Sequence, residues 1–151
     1  MALTLQKDLS EFVALLLSHR VSFILVGGHA LAYHGAPRFT EDIDFLVLSD
    51  PENASKLIQV LDDFGFSSVG LTVGDFLIPE RVIQLGMAPH RIDLLTSLSG
   101  VTWDEAWSSH EMVALDVYQV PVISKQVLIR NKVATNRLQD QADIARLTQE
   151  T

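Results

Sequence analysis

Apolar side chains recur at helical spacing over residues 4–19, where Leu5, Leu9, Phe12, Val13, Leu16 and Leu17 form one stripe and Lys7, Asp8, Glu11 and Ser18 the opposite one. The period then changes. Ser22 to Val26 is a short apolar run that halts at Gly27-Gly28 and reads as a buried strand. His29 to His34 reads as a short helix closed by Gly35 and Pro37. Asp42 to Leu48 is a second strand, and Pro51 to Phe64 is a helix with proline at its start and Gly65 past its end. Arg81–Leu85 and Arg91–Leu95 read as strands joined into a hairpin by a turn containing Gly86. Thr102 caps a short helix to Ser109, Met112–Val122 is a strand or strand pair, and two helices follow at Ser124–Ala134 and Arg137–Thr148. This order predicts an α+β fold, a mixed sheet with helices on one face, rather than a regular strand–helix alternation.

The chain has 151 residues, and no repeat or Pro/Gly-rich linker divides it, so we read one domain over 1–151, with a core at about 20–122 and C-terminal helices at about 124–148. The absence of cysteine excludes disulfides, thiolate metal sites and cysteine nucleophiles. The first apolar run, Phe12–Leu17, is short of the ~20 residues that span a bilayer, and it follows Asp8 and Glu11 where a signal peptide opens with basic residues. The expectation is a soluble, cytoplasmic protein with no membrane partner. Net charge is −8, distributed as +1 over residues 1–40, −11 over 41–116 and +2 over 117–151. That balance argues against a general nucleic-acid binder, which needs a basic face to displace counterions.

The chemistry concentrates in Val26–Val47. Gly27-Gly28 lets the backbone turn sharply between a strand and a helix start, where unsatisfied N–H groups favour phosphate. Asp42 and Asp44 alternate with Ile43, so both carboxylates share one strand face while Ile43, Phe45 and Val47 face the core. Carboxylates held that close repel unless a cation compensates, and oxygen-rich sites suit Mg²⁺ or Mn²⁺. Asp93, between Ile92 and Leu94, repeats the pattern on another strand. If the two strands are neighbours, three acids converge into a two-metal phosphoryl-transfer site. Other candidates carry two readings each. Arg38 and Thr40 either contact phosphate or lie in an exposed loop. Lys132 and Arg137 reach a triphosphate from the tail helices, or Lys132 forms a structural ion pair with Asp140 or Asp143. His29 and His34, five apart, are ordinary helix residues, and Trp103 and Trp107 are a packing pair.

Gly27-Gly28, a 13-residue spacer (His29–Glu41), Asp42-Ile-Asp44 and the later Asp93 resemble the nucleotidyltransferase superfamily related to DNA polymerase beta. The segments Gly27-Gly-His-Ala-Leu31 and Arg38-Phe-Thr40, with the tail Arg137-Leu-Gln-Asp140-Gln-Ala-Asp143, are similar to its minimal branch, which includes abortive-infection-type toxins. Many superfamily members carry Ser at the position of Gly28, and branch members often carry a basic residue at that of Gln139. The resemblance implies a polymerase beta-like fold and transfer of a nucleoside monophosphate from an NTP to a hydroxyl, releasing pyrophosphate. It also implies that Gly27 and Gly28 hold the triphosphate, and Arg38, Thr40 and Lys132 are the further candidates for binding it. Asp42, Asp44 and Asp93 would bind two Mg²⁺ or Mn²⁺ ions, and Asp93 would help deprotonate the acceptor. That acceptor is a tRNA, a protein or a small molecule, and toxin-type members imply a cognate antitoxin. The rival expectation is a non-catalytic relative using the same fold to bind nucleotide.

Overall fold

A computed structural model describes residues 7–66 and 69–149. The chain runs α1 (Lys7–Ser18), β1 (Phe23–Val26), α2 (Gly27–Tyr33), β2 (Asp42–Val47), α3 (Pro51–Phe64), a 3-10 turn (Val73–Leu77), β3 (Val82–Leu85) and β4 (Arg91–Leu95). Then follow α4 (Trp103–Ser108), β5 (Glu111–Leu115), β6 (Tyr118–Val122), α5 (Lys125–Thr135) and α6 (Leu138–Leu147). The expected start of the first helix, including Leu5, lies outside the described residues. Several boundaries have a visible local cause. Asp50 accepts a hydrogen bond from the Asn53 amide to open α3, and Gly65 closes it at φ 96°. Thr102 and Glu105 form a reciprocal capping box on α4. Asn136, at φ 49°, separates α5 from α6.

The six strands form one mixed sheet in the order β3-β4-β2-β1-β6-β5. β1 and β6 are parallel, as are β2 and β4; the other neighbouring pairs are antiparallel. Phe45 of β2 packs on Phe12 of α1 (ring centroids 6.1 Å) and meets Phe23 edge-on at 5.6 Å. Buried Asn53 of α3 clamps the strands from the same region: its Oδ1 accepts from the Ser22 amide at 2.7 Å, and its Nδ2 donates to the Ser22 and Leu48 carbonyls. The clamp joins the start of β1 to the end of β2 and so supports the register that sets Val26 beside Asp44.

The one-face arrangement of helices is not what forms. Leu128 and Lys132 of α5 stand over the carboxylate side of β2, while α1 covers the Phe45 side. All four residues of β1 are buried, which an alternating strand achieves only when both faces are covered.

Candidate active site

The sheet register builds the site row by row. Val26 on β1, Asp44 on β2, Asp93 on β4 and Gln84 on β3 are successive partners across the strands. Two residues earlier along β2, Asp42 pairs with Arg91 of β4. Side-chain alternation puts Asp42, Asp44, Arg91 and Asp93 on one face. A carboxylate oxygen from each of the three acids lies within 4.8 Å of the others. Asp93 is buried, and Asp42 and Asp44 are half-buried.

Arg91 bridges two of these acids. Its Nη2 lies 2.6 Å from Asp42 Oδ2 and 3.1 Å from Asp93 Oδ2, and its Nε lies 2.9 Å from Asp93 Oδ1. Asp44 is left with the electrostatic burden. Burial, followed by the charges of Asp42 and Asp93, pushes its carboxyl up to about 7. Three hard oxygen donors under mutual repulsion, with a single guanidinium to offset them, match the demands of Mg²⁺ or Mn²⁺.

The glycine corner abuts this cluster. The chain leaves β1 extended at Val26 and turns at Gly27 with φ 68°. A Cβ on Gly27 would fall 2.0 Å from Asp44 Oδ2, so this position accepts no larger residue without moving the carboxylate. A Cβ on Gly28 would stand 3.0 Å from Thr40 Cβ. Thr40 in turn donates its hydroxyl to Asp42 Oδ1 at 2.9 Å, which orients that acid. α2 begins at Gly27 rather than at His29, so both glycines belong to its first turn. Burial depresses the His29 imidazole below its ordinary value, and the nearby Asp42 charge only partly counters it.

The C-terminal helices close the other wall. Lys132 Nζ is buried 3.3 Å from Asp140 Oδ1 and 3.0 Å from Asp143 Oδ2, and both acids are fully buried. Asp140 also accepts from the Arg137 guanidinium and from the Thr135 hydroxyl, and those bonds hold its carboxyl well below the usual range. Asp143 pairs with Arg38 at 3.3 Å, and Arg146 donates to the Pro37 carbonyl at 2.6 Å. The segment before β2 is therefore fastened to α6. The expected ion pair of Lys132 forms, Arg137 and Arg38 are ion-paired as well, and all three line the cleft.

That cleft has a volume of about 760 Å³, and Gly27, Gly28, Arg38, Thr40, Asp42, Asp44, Asp93 and Lys132 all line it. Sequence reasoning passed over Arg91, Gln84 and Asn131, which line it too. The signal for Arg91 was available, because a residue two before Asp93 on a strand must share its face. Trp103 and Trp107 stack on each other at 5.7 Å and do not line the cleft. No helix among the described residues is long and apolar enough to cross a membrane.

Solved structures share this fold. The lincomycin-bound lincosamide antibiotic adenylyltransferase LnuA aligns over 98% of this chain and 99% of its own, at 18% identity and a TM-score of 0.55. TM1012 from Thermotoga maritima, a candidate nucleotidyltransferase, aligns over 91% of this chain and 88% of its own, at 16% identity and a TM-score of 0.60. The antibiotic-resistance factor ANT(2'')-Ia covers 93% of this chain and 80% of its own, at 13% identity and a TM-score of 0.58. No curated protein matches the sequence. The family profile described as "Nucleotidyl transferase AbiEii toxin, Type IV TA system" matches residues 13–132, a span that takes in the glycine corner, all three acids and Lys132. The chain belongs to the AbiEii nucleotidyltransferase family.

Proposed function

We propose that this protein transfers a nucleoside monophosphate from an NTP to a hydroxyl acceptor, with Asp42, Asp44 and Asp93 holding two Mg²⁺ or Mn²⁺ ions. The observation that carries this reading is the convergence of three carboxylates from two parallel strands beside a glycine corner whose Cβ-free edge touches Asp44. When bound, the ions supply neutralisation of the phosphate charge and of the leaving pyrophosphate. The chain's own residues do the rest. Gly27 and Gly28 let the backbone approach the triphosphate, and Arg38 and Lys132, held at the cleft wall, contribute positive potential toward it. Thr40 fixes Asp42. Asp93 accepts the proton of the acceptor hydroxyl as its oxygen bonds to the α-phosphorus, and the bond from that phosphorus to the pyrophosphate oxygen breaks.

The family supports a toxin role with a cognate antitoxin partner, and a reaction that consumes NTPs fits the cytoplasm, where NTPs are abundant. For the acceptor, the tRNA or protein of a toxin stands beside a small hydroxyl compound of the kind implied by LnuA, whose structure holds lincomycin. The test is incubation with α-³²P-labelled NTPs, Mn²⁺ and cell extract, followed by separation of RNA, protein and small molecules. Label in one fraction, lost with Asp44→Asn, supports the proposal. NTP binding without any labelled product supports a non-catalytic relative.

A further inference from the structure

The transfer chemistry leaves the placement of Arg91 unexplained. Its guanidinium donates to both oxygens of Asp93 and to one of Asp42, at 2.6–3.1 Å. These are lone pairs that a divalent ion needs, so ion and guanidinium compete for the same oxygens. The other cations of the cleft wall differ from it. Arg38, Lys132 and Arg137 are held by Asp140 and Asp143 of α6, away from the triad. Arg91 instead has two acids of the triad, Asp42 and Asp93, as its acceptors.

We propose that Arg91 is a resident counter-cation that exchanges with the metal: it holds Asp42 and Asp93 together in the metal-free protein and leaves its seat as the ion enters. Once displaced, its fork of donors faces the cleft, where the phosphates of the nucleotide are its matching acceptors. Nucleotide therefore stabilises the displaced arginine and favours metal entry, and linkage requires the metal to favour nucleotide by the same factor. This inference rests on the metal-dependent transfer proposed above and adds a contribution of Arg91 to the metal–nucleotide coupling that the transfer already demands.

The test measures Mn²⁺ binding to the full chain by electron paramagnetic resonance, with and without a mixture of the four α,β-methylene NTP analogues, for wild type, R91Q and R91K. Wild type should bind Mn²⁺ at least about tenfold more tightly with the analogues than without them. R91Q should bind Mn²⁺ alone at least about tenfold more tightly than wild type, and its nucleotide effect should shrink to what direct ligation of Mn²⁺ by the phosphates supplies. Its melting temperature in EDTA should fall and recover with Mn²⁺. R91K keeps the charge without the fork, so it should tighten Mn²⁺ binding by a smaller factor, roughly threefold. It carries the test if R91Q does not fold. Unchanged Mn²⁺ affinity in the folded variants overturns the exchange. Tighter Mn²⁺ binding with the nucleotide effect intact also overturns it, because that outcome makes Arg91 a passive counter-charge. If wild type binds no Mn²⁺ even with the analogues, the metal reading itself fails and the exchange with it.

Discussion

Replacing Asp44 by Asn removes a carboxyl whose protonation is tied to folding. In the metal-free protein its titration lies at about 7 rather than at the ordinary 3.8, first because it is buried and then because Asp42 and Asp93 are close. Below pH 4 the group is neutral in both folded and unfolded chains. Between about 4 and 7 the folded chain binds a proton that the unfolded chain has lost, so stability falls as pH rises through that window. The displacement of about three units corresponds to a few kcal/mol, on the order of 4, fully expressed above pH 7. Asn carries no charge at any of these pH values, so Asp44→Asn should match wild type near pH 4 and exceed it by a few kcal/mol at pH 8. The assay is urea unfolding at both pH values, with the pH 8 series in EDTA and again in Mn²⁺. Mn²⁺ should stabilise wild type more than the variant, reversing part of the difference. A wild-type-to-variant gap of equal size at pH 4 and pH 8 would refute the reasoning, since it would mean that neither burial nor the neighbouring charges raise the Asp44 carboxyl.

Gly27→Ala should be destabilised by at least about 1–2 kcal/mol from its left-handed backbone alone, and its Cβ, 2.0 Å from Asp44 Oδ2, should weaken Mn²⁺ binding as well. Wild-type Mn²⁺ affinity in that variant would contradict the close packing of corner and carboxylate. Lys132→Met leaves Asp140 and Asp143 buried with fewer partners, and should lose about 3 kcal/mol in urea unfolding. Thr40→Val removes the bond that orients Asp42, and should lower the transfer rate by about tenfold while stability changes by no more than ~1 kcal/mol. A stability loss without a rate loss would assign Thr40 a structural role.

Much of this architecture was legible because the local signals agree with one another. Pro51 and Gly65 bracket α3, Thr102 caps α4, and the Asp-Ile-Asp alternation on β2 presents its acids opposite Phe45. What periodicity could not supply was the pairing of β2 with β4, a contact between segments 49 residues apart in sequence that local pattern does not encode. The second layer of helices had a visible cue: Phe23–Val26 is apolar at every position, as expected for a strand covered on both faces. Lys132 was harder to place. α5 has no clean apolar stripe and exposes Val133 while burying Lys132, because the two fully buried acids of α6 make a polar interior position tolerable. Arg91 was legible as a neighbour of Asp93 on the same strand face, but its bridge to Asp42 depends on the β2–β4 register.

The most direct measurement is a crystal structure with Mn²⁺ and an α,β-methylene NTP analogue, read by anomalous scattering at the manganese edge. We expect two peaks about 3.5–4 Å apart, ligated by Asp42, Asp44 and Asp93, with the triphosphate against Gly27 and Gly28. Manganese bound elsewhere, with Asp42 and Asp93 still held by Arg91, would contradict the metal-dependent site.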